Sequence, residues 1–92
     1  MKIYNLLNSA KKWIRGEFAT SDDGHIVEPD SPDATRWCIL GGVVRCYPLS
    51  QRSRIRARLY TALYPKSPHS LGVFNDRATF RQVRARLKKA KV

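Results

Sequence analysis

Ser31-Pro32-Asp33-Ala34-Thr35-Arg36-Trp37-Cys38-Ile39-Leu40-Gly41-Gly42-Val43-Val44-Arg45-Cys46 is the stretch on which the fold turns. A serine hydroxyl can cap open N–H groups, proline fits a first helical turn and aspartate suits the positive end of the helix dipole, so Ser31-Pro32-Asp33 predicts a helix start. From Ala34 to Cys46 only Thr35, Arg36 and Arg45 are polar or charged. Trp37, Cys38, Ile39, Leu40, Val43 and Val44 would cover most of a helix surface, which marks a central buried helix. Gly41-Gly42 in its middle costs about 1 kcal/mol per glycine against alanine. Close approach of another helix, or of Trp13, is the expected compensation.

Upstream, Ile3, Leu6, Leu7, Ala10, Trp13 and Ile14 recur at helical spacing and Gly16 supplies a stop, predicting an amphipathic helix over residues 2 to 15. Between it and the central helix, Asp23-Gly24 suits a turn needing positive φ, and Phe18-Ala19 and Ile26-Val27 flank it as the arms of a short β-hairpin. Downstream, Pro48 ends the central helix and Ser50 caps a third from about Gln51 to Leu63, with Ile55, Leu59, Ala62 and Leu63 inward. Pro65 and Pro68 make 65 to 73 a loop, and Asn75-Asp76 reads as a turn tying down the closing helix. Thr79-Phe80-Arg81-Gln82 is a capping box for that helix, whose inner stripe is Phe80, Val83 and Leu87. The expectation is a single, mainly all-α domain over residues 1–92, a compact four-helix arrangement with the hairpin between helices one and two.

Length and charge bound the function. Ninety-two residues hold one core, and a composition 42% hydrophobic is enough to pack it. The formal charge is +11 at pH 7 and is unevenly distributed. Glu17, Asp22, Asp23, Glu28, Asp30 and Asp33 form a stretch from 17 to 33 with no Lys or Arg, worth −6; the remainder holds 18 basic residues against Asp76, worth +17. Acidic partners are favoured. No run approaches the ~20 apolar residues of a membrane span, and the N-terminus lacks the apolar stretch of a signal peptide. Cys38 and Cys46, eight residues apart on one helix, would sit ~12 Å apart, too far for a disulfide. The chain reads as cytoplasmic with reduced thiols.

Trp13-Ile14-Arg15-Gly16, then Asp33-Ala34-Thr35-Arg36-Trp37-Cys38-Ile39-Leu40-Gly41, then Phe74-Asn75-Asp76 resemble, in content and order, a family of small uncharacterised domains of bacterial and phage proteins. Its signatures are a Trp and Gly closing a first helix, an Ala-x-x-Trp-Cys-x-Leu-Gly segment and a late Asn-Asp. The resemblance covers about two thirds of the chain and implies a fold rather than an activity.

Three chemistries bear on the function. The acidic stretch with His25 lacks the alternating ligands and twelfth-position Glu of a calcium loop, and two thiols with two distant histidines match no zinc spacing. Neither a metal nor any other cofactor is expected, and a small metal-dependent hydrolase using the acidic stretch is the weakest reading. Cys38 lies in the most apolar segment, where cysteine behaves as a small hydrophobe, so no catalytic residue and no enzyme are expected. The basic helices carry the strongest signal. Arg77, Arg81, Arg84 and Lys88 step by four, three and four residues along one face, and Arg52, Arg54, Arg56 and Arg58 flank the third helix. They predict a non-enzymatic binding module contacting DNA or RNA phosphates with low specificity. The alternative is a phage-type inhibitor or adaptor docking on an acidic protein surface.

Overall fold

A computed structural model describes residues 1–63, with the side chain of Leu63 outside it, and 70–92. Its elements run α1 (Ile3–Leu6), a 3-10 turn (Ala10–Lys12), β1 (Ala19–Thr20), β2 (Arg36–Trp37), α2 (Ile39–Cys46), α3 (Leu49–Leu63), α4 (Leu71–Arg77) and α5 (Phe80–Ala90). The domain is mainly helical, as expected, but has five α-helices among the described residues rather than four.

The opening helix predicted over 2–15 stops after one turn. Ile14 N–H donates to the Trp37 carbonyl at 3.2 Å, and Trp13 pairs alongside Trp37 as a parallel bridge. Those partners need an extended backbone, so sheet pairing overrides the helical periodicity. The hairpin forms. Gly24 takes φ 84° at its turn, Ser21 N–H reaches the His25 carbonyl at 2.9 Å and Val27 N–H the Ala19 carbonyl at 3.2 Å. The opposite edge of β1 takes β2 antiparallel, with Ala19 opposite Trp37.

The central helix is shorter than expected and begins at Ile39. Ser31 closes only a local turn, accepting Asp33 N–H at 3.1 Å, and Arg36-Trp37 is claimed by the sheet. The cap is instead Cys38, whose Sγ accepts Gly41 N–H at 3.3 Å. Both glycines are closely approached, by groups other than Trp13. A Cβ on Gly41 would lie 1.9 Å from the Phe18 carbonyl oxygen, and one on Gly42 would lie 2.7 Å from Ile3 Cγ2 of α1.

Helix α3 begins at Leu49, directly after Pro48, which places Ser50 inside its first turn. The predicted loop 65–73 falls partly outside the described residues, but its last part is helical. Ser70 Oγ accepts Val73 N–H at 3.2 Å and starts α4. Asn75-Asp76 therefore lies within a helix, not a turn. The capping box holds as predicted: Gln82 N–H donates to Thr79 Oγ1 at 3.1 Å and Thr79 N–H to Gln82 Oε1 at 2.9 Å. One core joins the elements, with Ile3, Leu7, Ile39, Leu59, Leu71 and Leu87 fully enclosed. Burial of each contributes about 1.5–3 kcal/mol.

Candidate functional site

Every α-helix leaves its last carbonyls unpaired, carrying partial negative charge. In this fold an arginine from another element, or from a distant turn, reaches each of the five C-terminal ends. Arg84 of α5 donates to the carbonyls of Tyr4 and Leu7 at α1 and its guanidinium lies 3.5 Å from the Tyr4 ring centroid. Arg52 of α3 holds Val44 and Tyr47 at α2 (3.2 and 3.0 Å). Arg86 of α5 holds Ala62 at α3 (3.2 Å), Arg15 holds Ala78 at α4, and Arg58 of α3 holds Lys91 at α5 (3.1 Å). The planar guanidinium fork suits this task better than an ammonium.

The eight basic residues singled out in the sequence thus divide. Arg52, Arg58 and Arg84 are turned to helix ends. Arg56, half-buried, donates to Ser53 Oγ at 3.2 Å. Arg77 belongs to α4, so Ala78-Thr79 interrupts the stripe it was to begin, while Arg77, Arg81 and Lys88 are exposed. Arg54 and Arg58 come together with Lys89 and Lys91 along an open groove of about 420 Å³ between α3 and α5. Its lining is otherwise small: Ala57, Thr61, Ala62 and Ala90. The sequence reading missed Lys89 and Lys91. A signal was available, because at about 100° per residue the inward stripe Val83, Leu87, Ala90 puts Arg84 on one flank of α5 and Arg86 and Lys89 on the other.

Carboxylates do not neutralise this surface. Among the described residues the sole contact within 4 Å between a basic side chain and a carboxylate is that of His25 Nδ1 with Asp23, at 3.2 Å. The acidic stretch instead lines its own hollow of about 630 Å³, with Asp22, Asp23, His25 and Asp33. The Ser21 hydroxyl donates to Asp23 and holds its carboxyl below the ordinary aspartate range. Among the described residues no group of three or more His, Cys, Asp or Glu is arranged to hold a metal ion, and no helix is long and apolar enough to cross a membrane. His69 lies outside the described residues.

The three stretches that carried the family resemblance meet at Asn75, which is fully enclosed. Its Oδ1 accepts Trp13 Nε1–H at 2.8 Å and Ile39 N–H at 3.0 Å, and its Nδ2 donates to the Ile14 carbonyl at 3.0 Å. Asp76 Oδ1 next to it accepts Gly16 N–H at 2.9 Å. Beside this network Cys38 is buried, and burial, aided by the Asp76 charge, pushes its thiol above the ordinary range. Such a thiol is a poor nucleophile at neutral pH.

No curated protein and no solved structure matches the chain. A family model spans almost all of it, however, at residues 2–91, and the chain belongs to that family, the family of unknown function DUF6197.

Proposed function

We propose that the chain is a non-enzymatic basic binding module that takes nucleic-acid phosphates, with little sequence preference, along the α3–α5 groove. The observation that carries this reading is the set of four cations, Arg54, Arg58, Lys89 and Lys91, lining one groove with no carboxylate within 4 Å. A floor of Ala and Thr side chains lets a sugar–phosphate strand approach closely. Exposed Arg81, Lys88 and Arg77 extend the positive field beyond it. The reading places the protein in the cytoplasm of a bacterial or phage-infected cell, where both cysteines, free here, stay reduced.

Neutralising about four phosphates releases counterions, so the logarithm of the binding constant should fall with the logarithm of salt with a slope of about −3.6 on duplex DNA. Fluorescence anisotropy of labelled duplex and single-stranded oligonucleotides at low and moderate salt tests this. Polyglutamate serves as the competing acidic partner. Saturable, salt-sensitive binding to oligonucleotides supports the reading. Silence at low salt, or stronger binding to polyglutamate, transfers the groove to an acidic protein surface.

A further inference from the structure

A smaller pocket, about 210 Å³, lies away from the basic groove, beside the Asn75 network. Residues from Gly16 and the turn after it, from the start of α2 and from one side of α4 (Gly72, Asn75 and Asp76) line it. Phe18, Cys38, Leu40 and Gly72 make it predominantly apolar, and among the described residues no Lys or Arg lines it. Ligand pockets for drug-sized molecules start near 300 Å³, so this one fits a group no larger than a single side chain. It is too small for a nucleotide.

Its charged lining residues are both acids, Glu17 and Asp76, each exposed and, among the described residues, neither with a Lys or Arg nitrogen within 4 Å. Asp76 is the one acid of the chain outside residues 17 to 33. Two helix starts oppose them, but each amounts to about +0.5 of a charge, and the amides of Ile39 and Gly41 at the α2 end are already taken by Asn75 and Cys38. Among the described residues the two carboxylates are the full charges that line the pocket itself. Gly72 leaves space, since a Cβ there would meet nothing nearer than 3.9 Å. The buried hydrogen bonds of Asn75 hold the three segments in place before any ligand arrives, which lowers the entropic cost of binding.

We propose that this pocket binds an alkylammonium group, its short carbon chain against Phe18, Cys38 and Leu40 and its charge between Glu17 and Asp76. The group could be supplied by a free aliphatic amine or by a lysine side chain, which share this chemistry.

The test is an amide NMR titration of the full chain with n-butylammonium, n-butanol and butyrate, which share one carbon skeleton and differ in charge. Saturable shifts at Gly16, Leu40, Gly72 and Asp76 are expected with the amine, at an affinity at least fivefold above the alcohol, with none from butyrate. Glu17→Gln and Asp76→Asn should each weaken the amine by severalfold. A parallel titration with Nα-acetyl-lysine amide separates the sources: tighter binding than n-butylammonium assigns a lysine side chain, weaker binding assigns a free amine. No saturable shift, equal response to amine and alcohol, or unchanged affinity in both variants overturns the proposal. None of these outcomes bears on the basic groove.

Discussion

The Trp13 indole N–H donates to the Asn75 side-chain oxygen at 2.8 Å, joining positions 62 residues apart in the chain. Because the same oxygen also receives Ile39 N–H and the same amide donates to Ile14, one side chain fixes the approach to the sheet, the start of α2 and the middle of α4.

Asn75→Ala should therefore cost about 3 kcal/mol, since it leaves one buried and two partly buried polar groups without partners at about 1–3 kcal/mol each. Urea unfolding followed by circular dichroism measures it. A loss under 1 kcal/mol would show that water replaces the side chain and that Asn75 is no hub.

That residue also marks where the sequence is legible. The capping box of α5, the inward face of α3 and the buried second half of the central helix follow from spacing and local chemistry, because their hydrogen bonds close within a few residues. Asn75 reads as a turn former since short polar side chains bond readily to nearby backbone, and besides its neighbour Asp76 its actual partners lie 36 to 62 residues away. The lost halves of the first and central helices have the same cause: Trp13 and Ile14 pair with Trp37, and Arg36 and Trp37 pair with Thr20 and Ala19. Likewise, arginines three apart fall on one side of a helical wheel, and only the fold shows that Arg84 faces the end of α1 while Arg81 faces solvent.

Arg84→Ala and Arg81→Ala should consequently differ. The first removes a charged donor from two carbonyls at a helix end and should cost about 2 kcal/mol, as bonds to charged groups are worth about 1.5–3; the second should fall within about 0.5 kcal/mol of the parent. Parallel melting curves decide it. Equal losses would mean that Arg84 is as solvated as its neighbour.

Gly41→Ala should abolish stable folding, because its Cβ would meet the Phe18 carbonyl oxygen at 1.9 Å and that oxygen also accepts Cys38 N–H. Gly24→Ala, with open space around it but φ 84°, should cost only about 1–2 kcal/mol. Similar melting temperatures for the two variants would contradict the close packing of β1 on α2. Trp37→Ala, emptying a site 5% exposed, should cost about 3–5 kcal/mol.

Both thiols should react slowly with a thiol reagent in the native protein and quickly in denaturant. Burial raises the Cys38 and Cys46 thiols and the Tyr47 hydroxyl above their ordinary ranges, so the folded state holds these protons more tightly than the unfolded chain. Their contribution to stability is thus complete below the unfolded thiol value, about 8.5, and is lost as pH rises beyond it. Melting temperature should fall on the alkaline side, less steeply in Cys46→Ala. Rapid stoichiometric labelling of native Cys38 at neutral pH would instead mark a reactive thiol.

The assignment of phosphate contact to the groove cations is tested most directly by the salt dependence of oligonucleotide binding in a double variant of two that hold no helix end, Arg54→Ala and Lys89→Ala. Neither side chain bonds to a carbonyl among the described residues, so the variant should melt like the parent. Its slope against salt should be shallower by about two units, one per phosphate contact removed. An unchanged slope and affinity in a protein that is folded would contradict the account and remove the groove from nucleic-acid binding.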